Sequence, residues 1–186
     1  MIDTKKVIEF LEKEGSVAVL PTDTLYGIVA RAADQTAVTR LYELKKREGK
    51  PGTIIASSLE QLELLGLKKR YLKAVEQYWP GSVSVVIPCA EPKLNYLHQG
   101  KNSLAVRIPD KTYLQEILDR TGPLLTSSAN NPGEEPASSV AEAKKIFGEK
   151  IELYVDGGNL SGNQASTVIR IVDDEVEVLR QGAVKI

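Results

Sequence analysis

Apolar positions recur at helical spacing in some stretches of the chain and as short unbroken runs in others, and the two kinds alternate. Residues 4–14 place Val7, Ile8 and Leu11 on one face, with Asp3 or Thr4 as the cap and Gly15 as the stop, so a helix precedes the apolar run 17–20, which reads as a strand. Asp34 caps a second helix with the stripe Ala37, Val38, Leu41 and Leu44; its last turn holds Lys45, Lys46 and Arg47, and Gly49 and Pro51 end it. A strand is expected at 53–56, a helix from Ser58 through Leu65, and another marked by Tyr71, Leu72, Val75 and Tyr78 that Pro80-Gly81 terminates. Residues 83–87 read as a strand, 88–101 as irregular surface, and 104–108 as a strand with an arginine inside it. Asp110 is the expected cap of a helix through Tyr113, Leu114, Ile117 and Leu118, closed by Gly122-Pro123.

The second half continues the alternation. Leu124 and Leu125 lead into Thr126-Ser127-Ser128-Ala129-Asn130, so a strand ends in hydroxyls and an amide. Ser139-Val140-Ala141-Glu142 has the form of a capping box for a helix reaching Phe147. Residues 151–155, 167–172 and 175–179 read as strands, the last two joined by a hairpin turn at Asp173-Asp174. Interleaved helices and strands with antiparallel signals near the C-terminus imply an α/β fold: a single domain over 1–186 with one twisted, mixed parallel and antiparallel sheet and packed helices.

Composition narrows the chemistry. A chain of 186 residues buries roughly 70% of its unfolded surface and needs no disulfide or metal to fold. Cys89 is the single cysteine and His98 the single histidine, which removes an internal disulfide, a zinc site and a Cys/His nucleophile; Cys89 reads as a buried structural residue and His98 as a solvated loop residue. No apolar run approaches the ~20 residues that cross a bilayer, and residues 1–15 lack a signal-peptide core, so a soluble cytoplasmic protein without membrane contact is expected. Net charge is −1, with 24 basic against 25 acidic residues, so placement of the cations matters more than their number.

Polar groups gather where strands end. Pro21-Thr22-Asp23-Thr24-Leu25-Tyr26-Gly27 closes the first strand with two hydroxyls, a carboxylate and a phenol, which suits the floor of a site. Further groups lie at 103–107, 126–130 and 164–167, and the basic helix end at 45–50 is a fifth. Lysine and arginine beside hydroxyl and amide donors suit a polyphosphate. Each stretch also reads more plainly: basic residues complement a helix dipole, Ser-Ala-Asn-Asn-Pro-Gly is turn chemistry, and Thr22 and Thr24 are solvated hydroxyls at a strand end. Arg107 between Val106 and Ile108 needs a partner or solvent, and Lys68-Lys69-Arg70 reads as a solvated helix start. Neither a P-loop nor a G-x-G-x-x-G fingerprint is present.

Taken in order, Pro21 to Gly27, Lys45-x-Arg47, Trp79-Pro80-Gly81, Ala105-Val106-Arg107-Ile108-Pro109, Ser128-Ala129-Asn130, Ser166-Thr167-Val168 and Leu179-Arg180-Gln181-Gly182 resemble the YrdC/TsaC family of threonylcarbamoyl-AMP synthases, from about Gly15 to Gly182. The resemblance implies the family's α/β twist. It also implies a nucleotidyl transfer joining L-threonine, bicarbonate and ATP into threonylcarbamoyl adenylate, whose product passes to a tRNA threonylcarbamoyl-transferase complex. On the same grounds Lys45, Arg47, Ser128 and Asn130 form the catalytic set, and ATP is held by these four with Ser103 and Arg180. Threonine contacts are implied at Thr22, Arg107, Thr126 and Ser166, with Thr24 in reserve, and Mg²⁺ is implied with ATP, without a protein ligand. A different class of function, a non-catalytic module that binds transfer or double-stranded RNA in the same basic groove, remains the alternative.

Overall fold

The computed structural model describes residues 2–47, 49–173 and 175–186. Its centre is a sheet in which nine strands occur among the described residues, in the order β7-β1-β2-β6-β3-β5-β4-β8-β9. The strands are β1 (Val17–Pro21), β2 (Tyr26–Arg31), β3 (Thr53–Ile55), β4 (Val83–Pro88), β5 (Ser103–Arg107), β6 (Leu124–Ser128), β7 (Leu153–Tyr154), β8 (Thr167–Val172) and β9 (Glu175–Arg180). Pairs β1 with β7, β3 with β5, and β4 with β8 run parallel, and the remaining neighbours antiparallel, so the mixed sheet expected from the sequence is present.

Both faces of the sheet are covered, which is why its inner strands read as continuous apolar runs. On one face Ala18, Leu20, Val29, Ile55 and Leu124 pack with Val7 and Leu11 of α1 (Thr4–Leu11) and, from α6 (Thr112–Thr121), with Leu114, Ile117 and Leu118. On the other, Val17, Val19, Ile28, Ala30, Ile54 and Leu125 meet α2 (Gln35–Leu44) through Ala37, Val38 and Leu41. Leu62 of α3 (Leu59–Leu65), Leu72 of α4 (Lys69–Lys73), Leu97 of α5 (Asn95–His98) and Phe147 of α7 (Val140–Phe147) complete that layer. Each fully buried leucine or isoleucine contributes about 1.5–3 kcal/mol, so the layers that fix the strand ends are held mainly by apolar burial.

Caps place the helix starts. Asp3, Asp34, Ser58 and Ser139 accept backbone N–H groups of the first turns of α1, α2, α3 and α7. Glu142 bonds the backbone and hydroxyl of Ser138 in place of the Ser139 N–H that a reciprocal box would use. At α6 the N-cap position is Lys111 and no side chain caps it, so the expected Asp110 cap does not form.

Three expectations are corrected. Residues 26–31 form a full strand, β2, turned back on β1 by 22–25, where the sequence suggests only a strand ending in polar groups. The helix expected through Tyr78 stops at Lys73 and continues as a single 3₁₀ turn, Glu76–Tyr78. The stretch 88–101 is not a surface loop: it contains a 3₁₀ turn, Pro92–Leu94, and α5, and it buries Leu94, Leu97 and His98. His98 is 2% exposed, with Nε2 3.3 Å from the Glu91 carbonyl, while Cys89 is buried as expected. Of the hairpin turn at Asp173-Asp174, Asp174 lies outside the described residues.

Candidate functional site

The turn between β1 and β2 is built by its first threonine. The Thr22 hydroxyl donates to the Leu25 carbonyl at 2.7 Å and accepts the backbone N–H groups of Thr24 at 3.2 Å and Leu25 at 3.1 Å. One donor and two lone pairs are thereby engaged. The Thr24 hydroxyl stands 3.0 Å from that of Thr22 and has no other hydrogen-bond partner among the described residues. Across the sheet Thr126 pairs in register with Val29 and Thr53, and its hydroxyl has no partner among the described residues. Gly27 makes this approach feasible: a Cβ there would lie 2.6 Å from Thr126 Oγ1 and 3.4 Å from Thr22 Cγ2.

These residues line a small cavity of about 100 Å³ with Arg107, Ser166, Arg180, Tyr26 and Pro51. Arg107 is 3% exposed and its Nη1 donates to both carboxylate oxygens of Asp23, whose side chain is 4% exposed. Ser166 Oγ lies 3.0 Å from the fully buried Ser84 hydroxyl, and Arg180 donates from Nη2 to Ser166 O at 2.8 Å and Oγ at 3.1 Å. Burial, together with the neighbouring Arg47 and Arg107 charges, lowers the Arg180 pKa from its ordinary value, and the guanidinium stays charged. Tyr26 reaches the cavity wall, but its hydroxyl is tied elsewhere, donating to Gly158 O at 2.8 Å and accepting Gly157 N–H at 2.8 Å.

A larger cavity of about 860 Å³ adjoins the first, and Arg47, Ser127 and Ser128 line both. α2 ends at Lys45, its C-cap, and Lys46 takes a left-handed φ of 48° that turns the chain back over the sheet. The returning loop is pinned from below. Tyr42 donates to Leu97 O at 2.7 Å and accepts Gly52 N–H at 3.3 Å, and Gln99 accepts Lys50 N–H at 3.2 Å. Lys45 Nζ donates to Ser128 O and Asn130 Oδ1, each at 2.7 Å, and to Asn130 O. Ser128 Oγ donates to the same Oδ1 at 2.7 Å, and Arg47 Nη1 to Ser127 Oγ at 2.6 Å.

Lys45 therefore rests on neutral acceptors with no carboxylate partner among the described residues, and burial, then the Arg47 charge, lowers its pKa to about 8. Below about pH 8 the ammonium is protonated and, having no countercharge among the described residues, is available to an incoming anion. Thr39, Tyr42, Glu43, Tyr96 and Pro132 form the outer wall of the larger cavity, where an aromatic or ribose-like body has room.

Lys45, Arg47, Ser128 and Asn130 come together around one cavity, and Thr22, Thr24, Arg107, Thr126 and Ser166 around the other. Arg180, grouped in sequence with the ATP contacts, lies on the smaller cavity beside Arg107 and Ser166. Ser103 lines neither cavity; it pairs with Pro88 at the far end of β5 from Arg107. Asp23, Ser82, Ser84 and Ser127 were not among the expected site residues. Of these only Asp23, between two threonines in the opening motif, and Ser127, beside Ser128, carried a sequence signal.

A model of the Sua5/yciO/yrdC family, described as "Telomere recombination", matches residues 10–182. The chain belongs to the Sua5/YciO/YrdC family. A relative from Methanocaldococcus jannaschii is 33% identical over 193 residues, covering 99% of this chain and 89% of its own length. The threonylcarbamoyl-AMP synthase of Marinobacter nauticus is 31% identical over 164 residues, 86% of this chain and 85% of that protein. Among solved structures, Pyrococcus abyssi Sua5 complexed with L-threonine superposes with a TM-score of 0.83 at 30% identity; the match covers 96% of this chain and 54% of that one. This chain thus spans about half of that Sua5 and most of the two sequence relatives. Within the Sua5/YciO/YrdC frame, the paired cavities are the feature that any function must explain.

Proposed function

We propose that the protein is a threonylcarbamoyl-AMP synthase, an ATP-dependent nucleotidyltransferase acting on L-threonine and bicarbonate. The observation that carries this reading is the junction: a cation-lined cavity and a hydroxyl-lined cavity share Arg47, Ser127 and Ser128. It is supported by relatives bearing that enzyme's name and by the L-threonine complex of Pyrococcus abyssi Sua5.

In this reading the triphosphate occupies the larger cavity against Lys45, Arg47, Ser128 and Asn130, and threonine the smaller, against Thr24, Thr126, Ser166, Arg107 and Arg180. The threonine amine takes up CO₂ from bicarbonate, releasing water, to give a carbamate. A carbamate oxygen then attacks the α-phosphorus, the bond to the bridging oxygen breaks, and pyrophosphate leaves. Such a step depends on alignment and charge neutralisation, with no protein nucleophile. Arg47 stands at the shared wall, where charge grows on the α-phosphate oxygens, and a donor so placed contributes about two to three orders of magnitude.

Among the described residues magnesium, implied with ATP, meets no group of three His, Cys, Asp or Glu, and of these residues one carboxylate, Glu43, lines the larger cavity. We assign the ion to phosphate oxygens and water.

No helix among the described residues is long and apolar enough to cross a membrane. We place the reaction in the cytoplasm, its product consumed by a transferase complex that modifies tRNA. The experiment is incorporation of labelled bicarbonate into an adenylate by the purified chain. Label in a product that requires both ATP and threonine is expected; salt-sensitive RNA binding without that product would favour the non-catalytic RNA module instead.

A further inference from the structure

Asp23 is a buried carboxylate that the proposed chemistry does not use. It sits between Thr22 and Thr24 on the β1–β2 turn, yet its side chain points across to β5, where both oxygens accept from Arg107 Nη1. A second donor braces it: Ser82 Oγ lies 3.3 Å from Asp23 Oδ2.

Ser82 is itself held by its neighbours. Gly81 N–H donates to Ile108 O at 2.9 Å, just past Arg107, and Thr167 N–H donates to Ser82 O at 3.0 Å, just past Ser166. Trp79 Nε1 donates to Val83 O at 2.8 Å and closes the segment on itself. The Trp79-Pro80-Gly81-Ser82 segment, which lines neither cavity, thus ties the chain beyond Arg107, the residue after Ser166 and the β1–β2 turn together behind the smaller cavity.

We propose that Asp23, braced by Ser82, is a positioning residue for amino-acid recognition: it fixes the rotamer of Arg107 and holds the Thr24 turn against it. This rests on the synthase reading of the site. With Nη1 engaged on both carboxylate oxygens and Nε buried without a partner, Asp23 is the one side chain among the described residues that anchors the guanidinium at the wall of the cavity that it lines. The same carboxylate couples Thr24 to Arg107 through a single side chain, so the hydroxyl and the cation keep a fixed separation for a ligand carrying an ammonium-derived carbamate, a carboxylate and a hydroxyl.

The sign of one substitution discriminates. If Asp23 merely neutralised Arg107, Asp23→Asn would free a positive charge and lower KM for L-threonine; if it only supported the fold, it would leave KM unchanged in the folded fraction. A positioning role predicts a rise in KM for threonine of about tenfold or more, because small displacements of a binding group carry that scale of loss. In the same assay, threonine-dependent pyrophosphate release from ATP, KM for ATP is expected to stay within about twofold. Ser82→Ala removes only the brace, keeps the buried ion pair, and is expected to raise threonine KM by about two- to threefold. It serves where Asp23→Asn fails to fold, and an unchanged KM in Ser82→Ala then overturns the proposal. A fall or no change for folded Asp23→Asn overturns it directly. Wild-type chain that releases no pyrophosphate with threonine removes the synthase reading and this inference with it, whereas active wild type with an unaltered Asp23→Asn removes the inference alone.

Discussion

The two cavities solve opposite problems with adjacent residues. In the larger, Lys45 is surrounded by carbonyl and amide oxygens, which orient the ammonium without cancelling it, and Arg47 is held by a serine hydroxyl. In the smaller, Arg107 is matched by a buried carboxylate, Arg180 is held on Ser166, and the hydroxyls of Thr24 and Thr126 keep unused hydrogen-bonding capacity. The larger region centres on a cation without a carboxylate, the smaller on a matched ion pair beside open hydroxyls. The lesson is that two cavities joined at Arg47 can differ in how their own cations, Lys45 and Arg107, are compensated, which suits them to ligands of different charge.

The strongest way to break this contrast is to remove the free charge. Lys45→Ala or Arg47→Ala is expected to slow turnover by about two to three orders of magnitude, measured as threonine-dependent pyrophosphate release. Rates within a few fold of wild type would make the basic loop a solvated helix end.

Removing the matched charge should instead strike stability first. Arg107→Ala leaves Asp23 buried without its partner, and a loss of about 3–5 kcal/mol is expected in denaturant unfolding. A loss under about 1 kcal/mol, the scale of a surface pair, would mean that the pair is solvated in solution.

The two threonines of the turn sharpen the comparison further. Thr22→Val deletes a hydroxyl engaged with Leu25 and Thr24 backbone groups, so about 1–3 kcal/mol of stability should go, seen as a lower unfolding midpoint. Thr24→Val should leave the midpoint nearly unchanged and lower discrimination between threonine and valine, read as the ratio of their kcat/KM values. The reverse pattern would return the ligand contact to Thr22.

The smallest effect is in pH. The Lys45 pKa is about 8 in the folded chain, below the ordinary lysine value of 10.5, because burial disfavours its charge. Between those values the unfolded chain binds more protons, so this residue's contribution to stability rises with pH above about 8 and is least below it. Anion binding runs the other way: KM for ATP should climb as pH passes about 8, by up to about tenfold per unit, and Lys45→Met should flatten that climb. A wild-type profile already flat from pH 7 to about 9.5 would show that the ammonium is not desolvated.

Local signals carried most of the fold. Asp3, Asp34, Ser58 and Ser139 announced four helices because a cap is a short-range hydrogen bond, written within three residues of sequence. β2 was hidden because Tyr26–Arg31 is buried along almost its whole length and so shows no alternation, and because its first residues belong to a polar motif. The segment 88–101 was hidden for another reason: its helices are too short to show a period, and its burial depends on Tyr42 and α2, far away in sequence.

The site divides in the same way. Residues lying next to one another, such as Lys45-x-Arg47 and Ser128-x-Asn130, could be placed together from sequence. The Arg107–Asp23 pair spans 84 positions, and only the fold reveals it. That Arg180 lines the smaller cavity could not be read from sequence, because its neighbours Ser166 and Arg107 come from the chain just before β8 and from β5.

The most direct measurement of the division is one crossed kinetic experiment: KM for ATP and for L-threonine, in the same pyrophosphate-release assay, for Lys45→Met and for Thr126→Val. Lys45→Met is expected to weaken ATP use and leave threonine KM within about twofold, and Thr126→Val to do the converse. Equal shifts of both constants in both variants would contradict it, since a single undivided pocket would then be binding both substrates.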